Sequence, residues 1–258
     1  MYVKSGCQAS EAPERAAVRP VAAASPSLKS MNMKNSSGQE RRAPSPEITV
    51  ATLPRICMVS SGSEQKDSAD SLLLRQIALL PPALPCMVQI REKQLDAAAM
   101  FRLCLAARQR TEGTRTLLFL NERADIAAAA GLDGVHLQES SCPPEKLGSL
   151  ADGLLKGRSV HSLESARQTV QGGVDYLVFG PVFDTPSKRP YGAPQGLGQL
   201  RTVCRAVSIP VFAIGGINPD NAASCLEEGA YGIATLSLFT DTRKLPELLE
   251  TLGQMLRP

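Results

Sequence analysis

The stretch PVFAIGGINP at residues 210–219 decides the fold of this chain. A strand-sized apolar run is followed by two glycines, and Asn218-Pro219 then supplies the cap and the first-turn proline that are typical of a helix start. The helix predicted over 218–228 ends at Gly229. A buried strand that leads directly into a helix is the repeating unit of parallel sheets with helical crossovers.

The same unit recurs eight times. Strands are predicted at 55–59, 86–90, 116–120, 134–137, 157–160, 176–180, 210–214 and 232–236. Helices are predicted at 68–80, 94–110, 123–130, 143–150, 163–172, 197–207, 218–228 and 243–256. A doubly wound sheet shares this alternation. Eight pairs within about 205 residues, with continuously apolar strands, favour an α/β fold of the closed TIM (β/α)8 barrel type over residues 51–258.

The first 50 residues differ in composition from the rest. They are rich in Ala, Pro, Ser, Lys and Arg and show no sustained hydrophobic period, which predicts a disordered N-terminal extension. They contain seven basic and four acidic residues, a net charge of +3. They also lack the continuous apolar segment of a secretory signal.

The composition of residues 51–258 excludes several classes of protein. These residues hold 21 basic and 21 acidic side chains, and a neutral body is poorly suited to binding a nucleic-acid backbone. No run approaches the ~18 apolar residues of a membrane-spanning helix. Six of the seven cysteines lie here without a CxxC pair, which predicts reduced, buried thiols in a cytoplasmic protein.

Hydrogen-bond donors are concentrated after the second and sixth strands. Alternation along QIREK (89–93) directs the side chains of Gln89, Arg91 and Lys93 the same way, a donor cluster suited to phosphate or pyrophosphate. The loop at 180–197 is unusually long for a barrel and would close over an anionic ligand. Its hydroxyls and cations are at Thr185, Ser187, Lys188 and Arg189.

A second, uncharged anion site is predicted after the seventh and eighth strands. Gly215 and Gly216 allow close backbone approach and leave bare N–H groups beside a helix N-terminus. Ser237 and the backbone amides around Leu236 would complete this phosphate site.

Four further polar residues lie at or near predicted strand ends. Asn121 and Glu122 could help to hold a divalent cation, or Asn121 could cap the next helix. His136 lies within an apolar strand and is interpreted as a core residue. His161 ends the fifth strand, where an imidazole can act as acid, base or donor, and a purely structural role for it remains equally open.

Together these segments resemble thiamine phosphate synthase and its close relative, the thiazole tautomerase, from about Arg55 to Leu249. The resemblance is carried by QIREK 89–93, NERADIA 121–127, DGVHL 133–137, SVHS 159–162, GPVFDTPSK 180–188, AIGGI 213–217 and the Ser237 segment. It implies a phosphate-binding TIM barrel that transfers an alkyl group. In the synthase reaction, hydroxymethylpyrimidine pyrophosphate and thiazole phosphate give thiamine phosphate and pyrophosphate with Mg²⁺.

The resemblance also implies residue roles. The leaving pyrophosphate would be held by Gln89, Arg91, Lys93, Asn121 and Lys188. Ser159 would face the reacting centre. The thiazole phosphate would contact Thr185 and Ser187, unless these two steady the loop, and the backbone amides of Gly216, Leu236 and Ser237.

One departure from the family pattern concerns the metal. Synthases usually carry aspartates after strands three and four that hold Mg²⁺. Here Glu122 replaces the first, and the second falls on Ser141, with Glu139 as the nearest carboxylate. Glu122 and Glu139 are therefore the candidate ligands, with substrate phosphates and water expected to supply the rest.

This departure keeps two alternatives open. A tautomerase would use His161 to shuttle a proton and would need no Mg²⁺, whereas a binding protein would hold a phosphorylated ligand without catalysis. Retention of the QIREK cluster together with Thr185, Ser187 and Lys188 favours the synthase. The expected partners are the small phosphorylated pyrimidine and thiazole substrates, with no nucleic acid and no membrane. The oligomeric state stays open, a homo-oligomer included.

Overall fold

A closed barrel of eight parallel strands forms the centre of the computed structural model, which describes residues 53–64, 71–186 and 188–256. The strands pair in chain order, and β1 closes the barrel against β8. They are β1 (Ile56–Val59), β2 (Cys86–Ile90), β3 (Thr116–Asn121), β4 (Gly134–Leu137), β5 (Leu155–Val160), β6 (Tyr176–Phe179), β7 (Val211–Ile214) and β8 (Gly232–Thr235). The predicted TIM barrel is confirmed. The predicted extension at 1–50 lies outside the described residues.

Seven α-helices follow strands in the described ranges. They are α1 (Leu72–Ala78), α2 (Ala97–Arg110), α3 (Ala124–Ala129), α4 (Leu163–Gln171), α5 (Gly196–Ala206), α6 (Pro219–Glu227) and α7 (Leu245–Met255). Short 3₁₀ segments occur at Pro144–Ala151, Arg189–Tyr191 and Ser237–Phe239. None of the helices in the described part of the chain has the length and hydropathy required to cross a bilayer.

Local chemistry explains where helices begin. Asn218 accepts from the N–H groups of Asp220 and Asn221, and Asn221 bonds back to its backbone, so the cap predicted from Asn218-Pro219 is confirmed as a capping box. Ser71 caps α1, which therefore starts four residues later than predicted.

The helix predicted at 143–150 forms as a 3₁₀ helix and not as an α-helix. The segment Pro144–Ala151 is 3₁₀ and is interrupted at Gly148, whose φ of 52° and ψ of −140° are not helical. A glycine reaches this region of φ without the steric cost that a side chain would add, so the α-helical hydrogen-bond ladder does not form across it.

The barrel interior is filled by aromatic rings. Tyr176 lies edge-on to Phe119 and to Phe212, with ring centroids 5.5 Å apart in both pairs. Gly134 and Gly157 on the adjacent strands make room, because a Cβ on Gly134 would lie 2.2 Å from Phe119 and one on Gly157 would lie 2.0 Å from Tyr176. The large rings therefore occupy the space that the two glycines, which have no side chains, leave in the apolar interior.

A second apolar layer lies between the strands and the helices. Outward-facing residues such as Leu118 and Leu177 are fully buried against helix residues such as Leu103, Leu200 and Leu249. Because both faces of every strand are covered, the strands read as continuous apolar runs, the feature on which their prediction rested.

The cysteines of the described part agree with the prediction in most positions. Cys57, Cys86 and Cys104 are buried free thiols, and burial raises the pKa of each to about 12. Cys204 is only partly buried, and Cys142 lies exposed in the loop after β4.

We expect Gly157→Ala to lower the free energy of unfolding by about 1–3 kcal/mol, because the new methyl group overlaps the Tyr176 ring. The matched control is Gly198→Ala in α5, where the added Cβ meets nothing within 4 Å. It should be neutral or stabilising by about 0.5–1 kcal/mol. Urea unfolding followed by circular dichroism measures both, and equal effects would contradict the packing argument.

Candidate active site

We call the end of the barrel that carries the carboxyl ends of the strands the barrel mouth. It is divided into a polar and an apolar half. Alternation along the strands turns one residue of each strand inward at this level. Strands β2 to β5 contribute polar side chains: Gln89, Asn121, His136 and Ser159. Strands β6 to β8 and β1 contribute apolar ones: Val178, Ile214, Leu236 and Val59. A ligand at the mouth thus meets hydrogen-bonding groups on one side and hydrocarbon on the other.

The structure brings together two of the side chains predicted to hold an anion. Gln89 Nε2 donates to Asn121 Oδ1 at 3.1 Å, and both residues are buried. Lys93 Nζ donates to Gln138 Oε1 at 3.4 Å, so this ammonium extends from the end of β2 across to the loop after β4. The half-buried Arg91 guanidinium donates to no group in the described part of the chain.

Glu92 is a site-supporting residue that the sequence reasoning missed. Its side chain is only 1% exposed, and its carboxylate accepts from the backbone N–H groups of Gly62 (3.2 Å) and Glu64 (2.9 Å). The Arg91 N–H in turn donates to Ser60 Oγ at 2.8 Å. These bonds attach the loop after β1 to the segment that carries Arg91 and Lys93. The sequence signal for this role was the alternation along QIREK, which turns the Glu92 side chain away from those of Arg91 and Lys93.

Glu122 and Ser141, the two positions where the metal-binding aspartates were expected, are in contact. Ser141 Oγ donates to Glu122 Oε1 at 2.6 Å, and the Gln138 N–H donates to the same oxygen at 2.7 Å. Glu122 has a φ of 71°, unusual for a residue with a side chain, and these bonds hold it there. Its Oε2 accepts from no donor within the described residues.

The carboxylate of Glu139 is not brought into this contact. Its Oε1 accepts from the His161 N–H at 3.1 Å, at the end of β5. The buried Arg158 donates to the backbone carbonyls of Glu139 (2.8 Å), Ser141 (2.8 Å) and Cys142 (3.2 Å), which fixes this loop from below. Within the described ranges, no three His, Cys, Asp or Glu side chains come close enough to hold a metal by themselves.

A metal at this place is therefore expected to have one protein carboxylate. Mg²⁺ is commonly bound by one or two carboxylates together with substrate phosphates and water, and Glu122 Oε2 meets that minimum. The residues present fit a substrate-assisted Mg²⁺ site and do not fit a complete protein-made coordination sphere.

Ser159 ends a buried chain of hydrogen bonds. Its Oγ lies 2.9 Å from His136 Nε2, and His136 Nδ1 lies 3.1 Å from the Tyr176 hydroxyl. His136 is 1% exposed, so the interpretation of it as a core residue is confirmed. Burial lowers the pKa of His136 to about 3, so the ring is neutral at ordinary pH. No sequence signal identified Tyr176 as a member of this series of hydrogen bonds, because its strand reads as uniformly apolar.

His161 lies exposed just beyond β5. Its Nδ1 is hydrogen-bonded to the Gly180 carbonyl oxygen. A carbonyl only accepts, so Nδ1 carries the hydrogen when the ring is neutral and Nε2 is left as a proton acceptor.

The long loop after β6 lies against the glycine turn after β7. The Val182 N–H donates to Ile214 O at 2.8 Å and the Phe183 N–H to Gly215 O at 3.0 Å. A Cβ on Gly216 would lie 2.6 Å from Asp184 O, so glycine is required there for loop packing as well as for its φ of 64°. The loop continues through the half-buried Thr185 to the exposed Lys188. Ser187 lies outside the described residues.

The second anion site predicted from the sequence has backbone N–H groups that make no hydrogen bond among the described residues. The N–H groups of Gly216, Leu236 and Ser237 donate to no acceptor in the parts of the chain that the structure describes. Gly216 O accepts from Asn221 Nδ2 at 3.0 Å, which links the turn to the start of α6. The assignment of these amides to a phosphate stays a prediction.

Comparison with known proteins places this geometry in one family. The family model described as thiamine monophosphate synthase matches residues 59–239. The thiamine-phosphate synthase of Chloroflexus aurantiacus is 42% identical over 151 residues, which cover 58% of this chain and 70% of that protein. The thiamine-phosphate synthase of Natronomonas pharaonis is 38% identical over 177 residues, covering 64% and 81%. The structure of a thiamine phosphate pyrophosphorylase from Pyrococcus furiosus superposes with a TM-score of 0.65 and 31% identity, covering 78% and 95%.

The buried His136 should make stability depend on pH. Because the folded pKa of about 3 lies below the ordinary 6.5, the unfolded chain takes up the proton first, so this contribution is complete above pH 6.5 and is lost as the pH falls towards 3. Between pH about 7.5 and about 5, we expect the wild type to lose about 2 kcal/mol more unfolding free energy than His136→Gln. Urea unfolding at both pH values measures this.

The exposed histidine supplies the control for that measurement. His161→Gln is the matched control, because it removes the exposed histidine and leaves the buried His136 in place. A His136→Gln protein with an unchanged pH dependence would show that the ring is not buried in its neutral form.

Proposed function

Since the chain belongs to the thiamine monophosphate synthase family and is an enzyme of thiamine biosynthesis, we propose that its barrel mouth holds the two phosphorylated substrates side by side. The reaction joins hydroxymethylpyrimidine pyrophosphate to thiazole phosphate and gives thiamine phosphate and pyrophosphate. The observation that supports this placement is the division of the mouth into a polar half at β2–β5 and an apolar half at β6–β1.

The polar half suits the leaving pyrophosphate. As the bond between the pyrimidine methylene carbon and the pyrophosphate oxygen breaks, its electron pair leaves with the pyrophosphate, and the negative charge on that group grows. Donors already in position stabilise this charge without reorganisation. We assign this role to Gln89, Arg91, Lys93, Asn121 and Lys188.

The apolar half suits the carbocation that remains on the pyrimidine. Val178, Ile214 and Leu236 offer no nucleophile and exclude water, so the thiazole nitrogen is the group that donates its electron pair to the methylene carbon. The new C–N bond completes thiamine phosphate. Ser159, at the border of the two halves, faces the reacting atoms.

The thiazole phosphate is assigned to the uncharged site. Backbone N–H groups of Gly216, Leu236 and Ser237 bind it, and Thr185 of the loop after β6 contacts it or steadies the loop, a role also predicted for Ser187, which lies outside the described residues. The two anionic substrates use different donors: cationic side chains bind the pyrophosphate, and backbone N–H groups bind the thiazole phosphate. They therefore do not compete, and the cations lie beside the group that gains negative charge.

Mg²⁺ is proposed as the cofactor, with Glu122 as its protein carboxylate. When bound, it would neutralise charge on the departing pyrophosphate. Glu139 as the second ligand stays a prediction, and its contact with the His161 N–H favours a supporting role. A cytoplasmic location is part of the same proposal, supported by the free cysteines of the described chain.

One observation favours the thiazole tautomerase reaction as a second candidate. The bond from His161 Nδ1 to the Gly180 carbonyl leaves Nε2 able to take up a proton beside the mouth. That reaction moves a proton and releases no pyrophosphate, so it makes no use of the cationic cluster or of Glu122.

A coupled assay separates the candidates. With both phosphorylated substrates and Mg²⁺, we expect the full chain to form thiamine phosphate, and chelation of the metal should abolish turnover. Glu122→Gln should raise the Mg²⁺ concentration for half-maximal rate at least about tenfold, whereas Glu112→Gln in an exposed turn should not. Conversion of the carboxylated thiazole phosphate tautomer, abolished in His161→Ala and indifferent to chelator, would instead identify a tautomerase. Micromolar binding of a thiazole phosphate without either reaction would identify a binding protein.

Lys188→Ala should lower kcat about 100-fold or more, because the charge it removes acts most strongly as pyrophosphate departs. The control is Lys146→Ala, an equally exposed lysine in the 3₁₀ segment after β4. Steady-state kinetics on both variants measure the effect. Full activity of the Lys188 variant would remove this loop from the proposed pyrophosphate site.

A further inference from the structure

Tyr176 has a hydroxyl with a restricted choice of partner. Its side chain is 1% exposed and is enclosed by Phe119, Phe212 and the backbone of Gly157. In the described part of the chain, His136 Nδ1 is the group that its hydroxyl bonds, at 3.1 Å. Burial raises the pKa of Tyr176 well above its ordinary value, so the hydroxyl keeps its hydrogen.

This environment selects one direction for the bond. If His136 donated through Nδ1, the phenol hydrogen would be left without an acceptor among aromatic rings. Among the described residues, no other acceptor bonds to the Tyr176 hydroxyl. The Tyr176 hydroxyl therefore donates to Nδ1, and the neutral ring carries its own hydrogen on Nε2.

The tautomer determines what Ser159 can do. With its hydrogen on Nε2, His136 donates to Ser159 Oγ across 2.9 Å. A serine oxygen that accepts this bond turns its own hydrogen elsewhere. Among the described residues no second group bonds to Ser159 Oγ, and the side chain is half-buried at the mouth.

We propose that Tyr176 is a positioning residue which, through the Nε2–H tautomer of His136, makes Ser159 a fixed hydrogen-bond donor to the bound substrate. The chain of donors runs in one direction, from the aromatic interior of the barrel to the reacting atoms. This proposal rests on the proposed synthase function for its kinetic consequence, while the tautomer itself is a property of the protein without substrate.

The tautomer is tested by NMR on the full chain labelled with ¹⁵N. The sequence has two histidines, and comparison with His161→Gln assigns the His136 signals. Correlations between ring nitrogens and carbon-bound ring hydrogens identify the protonated nitrogen. We expect His136 to be protonated on Nε2 alone in the wild type and to show both tautomers in Tyr176→Phe. A wild-type ring protonated on Nδ1 would overturn the proposal, whatever the enzyme's activity.

The kinetic consequence is tested by a double-mutant cycle. Tyr176→Phe should lower kcat about tenfold with little change in KM, because the donor is less well fixed while substrate contacts remain. In a Ser159→Ala background the same substitution should have no further effect, since Tyr176 acts through Ser159. Additive effects, or an unchanged kcat in Tyr176→Phe, would overturn the positioning role.

Tyr231→Phe is the matched control. Its hydroxyl donates to the Leu53 carbonyl at the opposite end of the barrel, and its ring also packs on Phe212. It should leave kcat and the His136 tautomer unchanged. A wild-type protein with the expected tautomer but no synthase activity would reject the proposed function and leave the tautomer assignment standing.

Discussion

Filling the interior of a closed barrel is the constraint on which the rest of this structure depends. The inward-facing side chains of eight strands share a narrow space. Large rings fit into it only where a neighbouring strand carries glycine, which has no side chain. Tyr176, Phe119 and Phe212 fill it, and Gly134 and Gly157 supply the omissions. The same packing places a phenol hydroxyl directly beneath the polar half of the mouth, where His136 bonds to it.

The chemistry of the mouth depends on which strands carry polar residues in the layer next to these rings. Four consecutive strands present Gln89, Asn121, His136 and Ser159, and the other four present hydrocarbon. A group transfer through a carbocation needs this combination. Charge that develops on the leaving group requires donors, whereas the cation must be kept from water until the second substrate attacks. Both conditions are met in one opening because the closed sheet holds the two halves opposite each other.

Buried and half-buried carboxylates hold the loops around this opening. Glu92 accepts two backbone N–H groups of the loop after β1, and Glu122 accepts from Gln138 and Ser141 of the loop after β4. An anion can satisfy several N–H donors at once, which suits segments without regular secondary structure. The contact between Glu122 and Ser141 also gives physical meaning to the departure from the family pattern. At the two positions where the resemblance implies carboxylates, this chain has Glu122 and Ser141, and the serine hydroxyl donates to the glutamate.

The sequence by itself determined the barrel and most of its elements. Continuous apolar runs predicted β2 and β4 to the residue, and Asn218-Pro219 predicted the start of α6 within one residue, because burial and capping are local properties of the chain. Alternation also predicted that Gln89, Arg91 and Lys93 face the same way, and their shared role in holding an anion stays a prediction. The family resemblance identified Glu122 and Ser141 as the positions of the two metal-binding aspartates. It did not show that their side chains are hydrogen-bonded to each other. Only the tertiary structure decided the partners of Glu92, Glu139 and Tyr176, and it replaced the predicted helix at 143–150 with 3₁₀ turns. The partners of these three residues depend on hydrogen bonds between residues tens of positions apart, and a hydrogen bond is fixed by distance and direction in space, which no pattern along the chain specifies.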